Sequence, residues 1–564
     1  MTMLQLAVLA AVHASAQTPD AARAAPLRTA VSAVDGSRLL TDVYGAGDST
    51  ARRPTILART PYGKEALRAY GEFFAAKGYV FIAQSVRGTG GSSGQYIPFL
   101  NEGADGGATL DWIVARPWSN GRVGMMGPSY LGFCALAVAA ARHPALVTLI
   151  DNSAMNDLNE LLYPGGAFNF MVNLPWTMLF AGPRPAALPR WDTLFVKLPV
   201  ASLFSGPSAG MAAGYPAFNT RLDDASPLRH LGGVSIPMLH LTGWNDFLYR
   251  HTLAAFSTLS TGRARQELIV GPWYHDQQQR TRSTRAGDEE FGPSAGFGPD
   301  SLMALELDWF DRYLKTDRAD TGPHRSPVRV FVMGANEWKD FDRWPPSGAR
   351  RQTYYLEPAA TLDRSAGRLS QTRPRRASSI RFHYDPNDPV PTVGGVNFHF
   401  FTDNLGPKDQ RQVEGRGDVL LYQTDPLPRD AEVLGPITAR LYVSSDALDA
   451  DFTAKLVVVR PDGYARIVED GILRARFRNG RRNPVLLTPG ETVALDIDLG
   501  STALRVPAGH RLRLELSGGN FPKYDRNPQT GDNPLSAAKL VKAEHSVWHG
   551  GNRASSITIG LRWR

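Results

Sequence analysis

Cysteine is almost absent from this 564-residue chain, and Cys134 stands alone. A single thiol excludes an intrachain disulfide framework. No Cys/His cluster has the spacing of a metal site, so the expectation is no metal and no organic cofactor. Long apolar runs are missing too. Beyond the first residues nothing approaches the roughly 20 apolar residues that a membrane-spanning helix needs. Dense charge is likewise lacking. Charged residues make up 21%, the formal net charge is +8, and the 62 Lys and Arg are scattered, with nothing denser than "RPRR" at 373–376. Such spreading is a solvated surface, which speaks against a nucleic-acid partner. Internal repeats and low-complexity tracts are absent as well.

What is present begins with "MLQLAVLAAVHASA", a short apolar core that ends in the small-x-small pattern Ala14-Ser15-Ala16. It reads as a signal peptide over 1–16, although no Lys or Arg precedes the apolar core. A disulfide-free exported chain suits a bacterial periplasm or growth medium. The remaining length calls for about three domains. From about 27 to 155, apolar runs such as "PTILAR", "YVFIAQ", "RVGMM" and "LVTLI" alternate with helical stretches, and "IPMLHLTG" and "QELIVGPW" resume the pattern. Strand–helix alternation implies a doubly wound parallel sheet, assigned to 27–158 and 232–347. A helix is expected over 301–315, with Leu302, Leu305, Trp309, Phe310 and Tyr313 on one face. The stretch 159–231, rich in Pro, Gly and aromatics, breaks the rhythm and reads as an inserted cap. After 348 the chain is all short strands and turns to its end at 564, an all-β sandwich or jelly roll.

Three serines satisfy the G-x-S-x-G pattern of hydrolase elbows: Ser92, Ser208 and Ser294. A fourth, Ser129 in "VGMMGPSYLGFCALAVAAA", misses it, since Gly132 comes one place late. Context reverses the ranking. An elbow needs a buried strand before the serine and a helix after it, and only Ser129 has both. Gly127 relieves the tightest point of the turn, and a small Gly132 lets the helix approach the sheet. The competing reading of Ser129 is a plain helix N-cap. A nucleophilic serine needs a base, and the base an orienting carboxylate, in the chain order Ser, acid, His. Asp246 in "LHLTGWNDFLYRH" and His275 in "LIVGPWYHDQ" each lie just past a strand. His240 falls inside a strand, His251 inside a helix, and His230 in a polar connector.

The segments "RTPYGK", "VRGTGGSSG", "RPWSNGRVGMMGPSYLG", "YPGGAF", "GWNDFL", "GPWYH", "DPNDPVPTVGG" and "DFTAKLVVVRPDGYA" run in order along nearly the whole chain. Together they resemble the CocE/NonD-type serine hydrolases, the family that includes cocaine esterase, glutaryl-7-aminocephalosporanic acid acylase, α-amino acid ester hydrolases and Xaa-Pro dipeptidyl-peptidases. The resemblance implies an α/β-hydrolase core with an inserted helical cap and a C-terminal jelly-roll domain. It implies Ser129, Asp246 and His275 as the catalytic triad, and G-x-S-Y-x-G as the family's form of the elbow. It also implies an oxyanion hole made by the Tyr62 hydroxyl and the backbone N–H of Tyr130. Many relatives carry an acidic residue where Ser85 stands, a position read as loop support.

A second departure bears on the substrate. The amino-acid ester hydrolases place carboxylates just past the catalytic Asp to bind an ammonium. Here Phe247, Leu248 and Tyr249 follow. The nearest acidic candidates are Asp157, Glu160 and Asp192. Trp244, Phe247, Phe168 and Trp176 are therefore expected to line an uncharged aromatic pocket for a small-molecule ester or amide. A dipeptidyl-peptidase-like or β-lactam acylase activity is the alternative. A non-catalytic carbohydrate- or surface-binding protein is a more remote one. Assembly into a homo-oligomer is left open.

Overall fold

A computed structural model describes residues 25–47, 51–178, 190–204, 220–275, 281–315, 326–358, 367–398 and 404–564. The segment 1–16 read as a signal peptide, Ser208 and part of the cap lie outside the described residues. The first sheet has ten strands in the order β1-β2-β4-β3-β5-β6-β7-β8-β11-β12. These are β1 (Leu27–Ser32), β2 (Arg38–Tyr44), β3 (Arg53–Thr60), β4 (Val80–Ser85), β5 (Ser119–Pro128), β6 (Leu146–Asn152), β7 (Met238–Gly243), β8 (Gln266–Gly271), β11 (Val328–Val332) and β12 (Glu337–Phe341); a separate small hairpin supplies β9 (Arg285–Ala286) and β10 (Glu289–Glu290).

From β4 to β11 every pairing is parallel. Both edges depart from the all-parallel expectation. The β1–β2 and β11–β12 pairs are antiparallel hairpins, and β2 also runs antiparallel to β4. Within each of the two hairpins the connecting turn is too short for a crossover, so only antiparallel pairing is open there.

The central strands are buried on both faces, as parallel strands between helical layers must be. Neighbouring residues point to opposite cores. Leu57, Ile82, Met125, Leu149 and Met238 pack with helices α2 (Glu102–Val114) and α3 (Tyr130–Ala140). Ile56, Phe81, Met126, Ile150 and Leu239 pack with α1 (Arg68–Ala76) and the helix Pro299–Leu314. That last helix buries Leu302, Trp309 and Phe310, the face its spacing predicts.

Between β6 and β7 the chain leaves the sheet as short helices, among them Leu158–Leu162, Phe170–Met178, Trp191–Phe195 and Thr220–Ala225. The C-terminal domain is an all-β sandwich whose eleven paired strands run from Arg350–Glu357 to Ser556–Trp563. The fold is thus an α/β-hydrolase core with a cap and a C-terminal jelly-roll domain. One continuous apolar core crosses from the hydrolase sheet into that domain, with Trp244 and Val330 packed in the same cluster as Leu434 and Leu504.

Candidate active site

Strand β5 runs into α3 through a one-residue turn, and that residue is Ser129. Its backbone stands at φ 56° and ψ −119°, a region costly for a side chain that carries a Cβ. Flanking hydrogen bonds hold it there. The Ser129 N–H donates to Asn152 O (2.9 Å), and Ser129 O accepts from Phe133 N–H (3.0 Å). Two glycines make the turn possible. A Cβ on Gly127, at φ 142°, would stand 2.3 Å from Leu131 Cβ, and one on Gly132 would stand 2.7 Å from Ala154 Cβ and 2.8 Å from Gly127 O. The late Gly132 is therefore where helix and neighbouring strand touch.

The other serines do different things. Ser92 is buried; its Oγ donates to Ser85 O (3.0 Å) and accepts from Leu40 N–H (2.8 Å). Ser294 lies in a single 3₁₀ turn, Pro293–Ala295, and donates to Asn336 O (3.1 Å).

Asp246 and His275 leave the same sheet edge, after β7 and β8. Backbone bonds join their loops: Trp244 N–H to Gly271 O (2.8 Å) and Asn245 N–H to Trp273 O (3.1 Å). The Asn245 amide adds a bond to Pro272 O (2.8 Å). His275 Nδ1 stands 3.0 Å from both carboxylate oxygens of Asp246. Asp246 Oδ1 also accepts from Leu248 N–H (2.8 Å). Asp246 is 0% and His275 3% exposed. A carboxylate can only accept, so Nδ1 carries the proton and Nε2 of a neutral ring is left as an acceptor.

The competing histidines are spoken for. His240, in the middle of β7, spans Asp151 Oδ2 (2.9 Å) and Gln266 Oε1 (3.0 Å). His251 lies on the helix Tyr249–Leu259, and burial lowers its pKa from 6.5 to about 4.

Tyr62 lies in the turn after β3, next to β5 in the sheet. Its N–H bonds Thr60 Oγ1 (3.1 Å), and its hydroxyl accepts from Trp176 Nε1 (3.2 Å). A hydroxyl that accepts one hydrogen bond donates the next more strongly. Tyr130 supplies the first amide of α3, which helix geometry leaves without an intrahelical acceptor at the positive end of the helix dipole. Ser85 supports this region: its Oγ accepts from Lys64 N–H (3.1 Å).

The four residues expected to line the pocket separate into two pairs. Phe247 is half-buried with its ring 4.7 Å from that of His275, and Trp176 touches Tyr62 as above. Trp244 and Phe168 go elsewhere. Trp244 is 1% exposed, donates to Phe331 O (2.8 Å) and packs into the core shared with the C-terminal domain. Phe168 is 1% exposed in the cap core, against Tyr163, Phe170 and Phe204. Trp244, two residues before Asp246, thus points away from the side that Phe247, one residue after it, faces.

One residue at this centre was not expected. Phe398, from the C-terminal domain, stands 4.9 Å from the Phe247 ring and 6.1 Å from His275. Its local signal was only an aromatic in an irregular stretch just past "DPNDPVPTVGG". The acidic candidates are all paired: Asp157 (3.5 Å) and Glu160 (2.6 Å) with Arg481, and Asp192 with Arg190 (2.8 Å). Among the described residues no three His, Cys, Asp or Glu side chains gather as a metal would require.

Comparison with known proteins follows the same two-part division. Residues 35–277 match the family model of X-Pro dipeptidyl-peptidase (S15 family), and 324–558 that of the X-Pro dipeptidyl-peptidase C-terminal non-catalytic domain. Cocaine esterase of Rhodococcus sp. (strain MB1 Bresler) is 34% identical over 530 residues, covering 88% of this chain and 91% of its own. Two solved structures share the fold. An aminopeptidase from a marine sediment Thaumarchaeota archaeon superposes with TM-score 0.81 at 24% identity, covering 98% of each chain. An α-amino acid ester hydrolase gives 0.80 at 24%, covering 98% of this chain and 99% of its own. Identity at that level to an esterase over nearly the full length, with both domain models matched in order, means that this chain belongs to the CocE/NonD family of serine hydrolases.

Proposed function

We propose that this protein cleaves esters or amides of small uncharged acyl groups, aryl or medium-chain, through an acyl-enzyme on Ser129. The observation that carries the reading is the buried Asp246–His275 hydrogen bond after β7 and β8, at the sheet edge where β5 ends in the strained Ser129 turn. His275 Nε2 takes the Ser129 proton as Oγ attacks the carbonyl carbon. Asp246 holds the tautomer and stabilises the imidazolium. The oxyanion that forms is met by the Tyr62 hydroxyl and Tyr130 N–H. His275 then passes its proton to the leaving group, and water, activated by the same base, releases the acid.

The preference for an uncharged acyl group follows from the surroundings. Phe247 and Phe398 present rings beside His275. A free ammonium there would lose its hydration without gaining a carboxylate partner, which ring faces replace only in part. Asp157 and Glu160 are already engaged by Arg481. Phenylacetyl and phenylglycyl esters of one leaving group, compared across pH, test this. The phenylacetyl ester should have the higher kcat/KM at neutral pH, with the gap narrowing as the amine deprotonates. A preference for the charged phenylglycyl ester would overturn the reading in favour of an aminopeptidase-like activity. The 1–16 segment supports export; mature protein from the native host should begin at Gln17 by mass.

A further inference from the structure

Behind the Ser129 turn lies an ion pair that the chemistry above does not use. Arg59, next to last in β3 and three residues before Tyr62, is 0% exposed; Glu102 opens α2 and is 2% exposed. The Arg59 guanidinium donates to Glu102 Oε2 (2.9 Å), to Glu102 O (2.7 Å) and, through Nε, to Gln84 Oε1 (2.8 Å). The other carboxylate oxygen, Oε1, accepts from the Tyr130 hydroxyl (2.9 Å). That hydroxyl in turn accepts from Phe99 N–H (2.9 Å). Phe99 stands at φ 72°, unusual for a bulky residue. Its ring stacks on Tyr130 (5.0 Å) and on Trp176 (5.5 Å), and Trp176 donates to the Tyr62 hydroxyl. One connected frame therefore runs from Glu102 through Tyr130 and Phe99 to Tyr62.

A buried ion pair is a poor way to gain stability, because both charges must be desolvated. What this pair does is hold geometry. Burial raises the Tyr130 phenol pKa well above its usual value, which keeps the proton that Glu102 receives. Tyr130 is fixed at its tip by two hydrogen bonds and along its ring by stacking, and its Cα then has little freedom. The peptide joining Ser129 to Tyr130 carries Ser129 O, whose bond from Phe133 N–H (3.0 Å) resists its rotation, and the anchored Tyr130 Cα fixes its far end.

We propose that Glu102 is a positioning residue of the oxyanion hole: held by Arg59, it anchors the Tyr130 hydroxyl and so aims the Tyr130 backbone N–H at the oxyanion. This rests on the acyl-transfer reading of Ser129. It predicts a role for a side chain that never meets substrate. The donor must lie within about 3 Å of the oxyanion, and displacements near 1 Å can cost about 10²-fold in rate.

The test is Tyr130→Phe, which keeps the ring and removes the anchor, with Glu102→Gln as a second variant that keeps an acceptor oxygen. Kinetics on a p-nitrophenyl ester are normalised to the sites titrated by an organophosphate, so misfolded protein does not enter. The expected result is a fall in kcat of about 10- to 10²-fold with KM within about twofold. Affinity for a boronic acid, which forms a tetrahedral adduct, should fall by a similar factor while that for the product carboxylate holds. Glu102→Gln should lose less than Glu102→Leu. Unchanged kcat and boronate affinity in Tyr130→Phe would overturn the proposal, as would a loss confined to KM. Ser129→Ala separates the two levels. If it stays active, the acyl-transfer reading itself fails; if it is dead while Tyr130→Phe matches wild type, only the positioning role fails.

Discussion

Tyr62→Phe removes one oxygen and tests two contacts with different energetic readouts. The hydroxyl accepts from Trp176 Nε1 at 3.2 Å, a long bond to a half-buried indole. Its loss should cost folding stability on the order of 0.5–1.5 kcal/mol. The same hydroxyl is the proposed oxyanion donor, and its loss there should raise the barrier by roughly 2.7–4 kcal/mol, a fall in kcat on the order of 10²–10³-fold. Kinetics and stability should therefore diverge, with a large change in kcat beside a slight shift in Tm. The assay is steady-state hydrolysis of a p-nitrophenyl ester with KM and kcat resolved, alongside a thermal melt. Trp176→Phe is the companion: it removes the donor to Tyr62 and leaves the phenol, so its kcat should fall by less. Were Tyr62→Phe to keep its kcat and raise KM, Tyr62 would be a substrate contact and the oxyanion argument would be refuted. A drop in Tm as severe as the drop in rate would point to a collapsed loop.

Ser129→Ala and His275→Ala should each lower kcat by roughly 10⁴-fold or more, and the double variant should be little worse than either alone, since the groups act as a unit. Ser92→Ala should keep the mechanism intact, and an inactive Ser92→Ala beside an active Ser129→Ala would reverse the assignment. Gly132→Ala puts a Cβ 2.7 Å from Ala154 Cβ and 2.8 Å from Gly127 O, so about 1–3 kcal/mol of stability should be lost. By contrast a Cβ on Gly107, inside α2, meets nothing within 4 Å, and Gly107→Ala should gain about 0.5–1 kcal/mol in a denaturant titration. Burial among Phe382, Tyr384 and Phe452 lowers the His545 pKa from 6.5 to about 4. The unfolded chain binds that proton first, so the stability of wild type relative to His545→Gln should fall by about 3 kcal/mol between pH 6.5 and 4, and a pH-independent difference would refute this.

The core of the fold was legible because burial on both sheet faces leaves continuous apolar runs such as "YVFIAQ", and helices leave a 3.6-residue stripe such as Leu302, Trp309 and Phe310. The edge hairpins were not. Half-exposed strands such as Leu27–Ser32 mix polar and apolar residues, and nothing local says which way a neighbour runs. Strand-to-helix context singled out Ser129 against three better motif matches, because the turn must end a buried strand. Which aromatics stand near His275 was legible only in part. Trp244 lies two residues before Asp246 and Phe247 one residue after it, and both read alike as aromatics at the end of a strand. Only the tertiary path shows that one ring faces His275 while the other finds Phe331 O and the second domain. Phe398 was invisible for the same reason: its contact with Phe247 crosses between domains.

That crossing changes how the C-terminal domain should be viewed. Its family model describes it as non-catalytic, and it contributes none of the proposed proton-transfer groups. Yet the helix that follows Asp246 is fastened to it from its first turn. The Tyr249 hydroxyl donates to Glu469 Oε2 (2.9 Å) and accepts from Ser501 N–H (2.9 Å), while Arg250 donates to Asp470 O (2.7 Å). Tyr249 N–H in turn bonds Asp246 O (3.1 Å). The carboxylate hydrogen-bonded to His275 thus sits on a loop braced on one side by the loop after β8 and on the other by the jelly-roll domain. The same domain supplies the Phe398 ring beside the imidazole. Separating the domains would expose the apolar core they share and release the acid loop in one event. Docking of the second domain and geometry of the candidate site are therefore a single structural property.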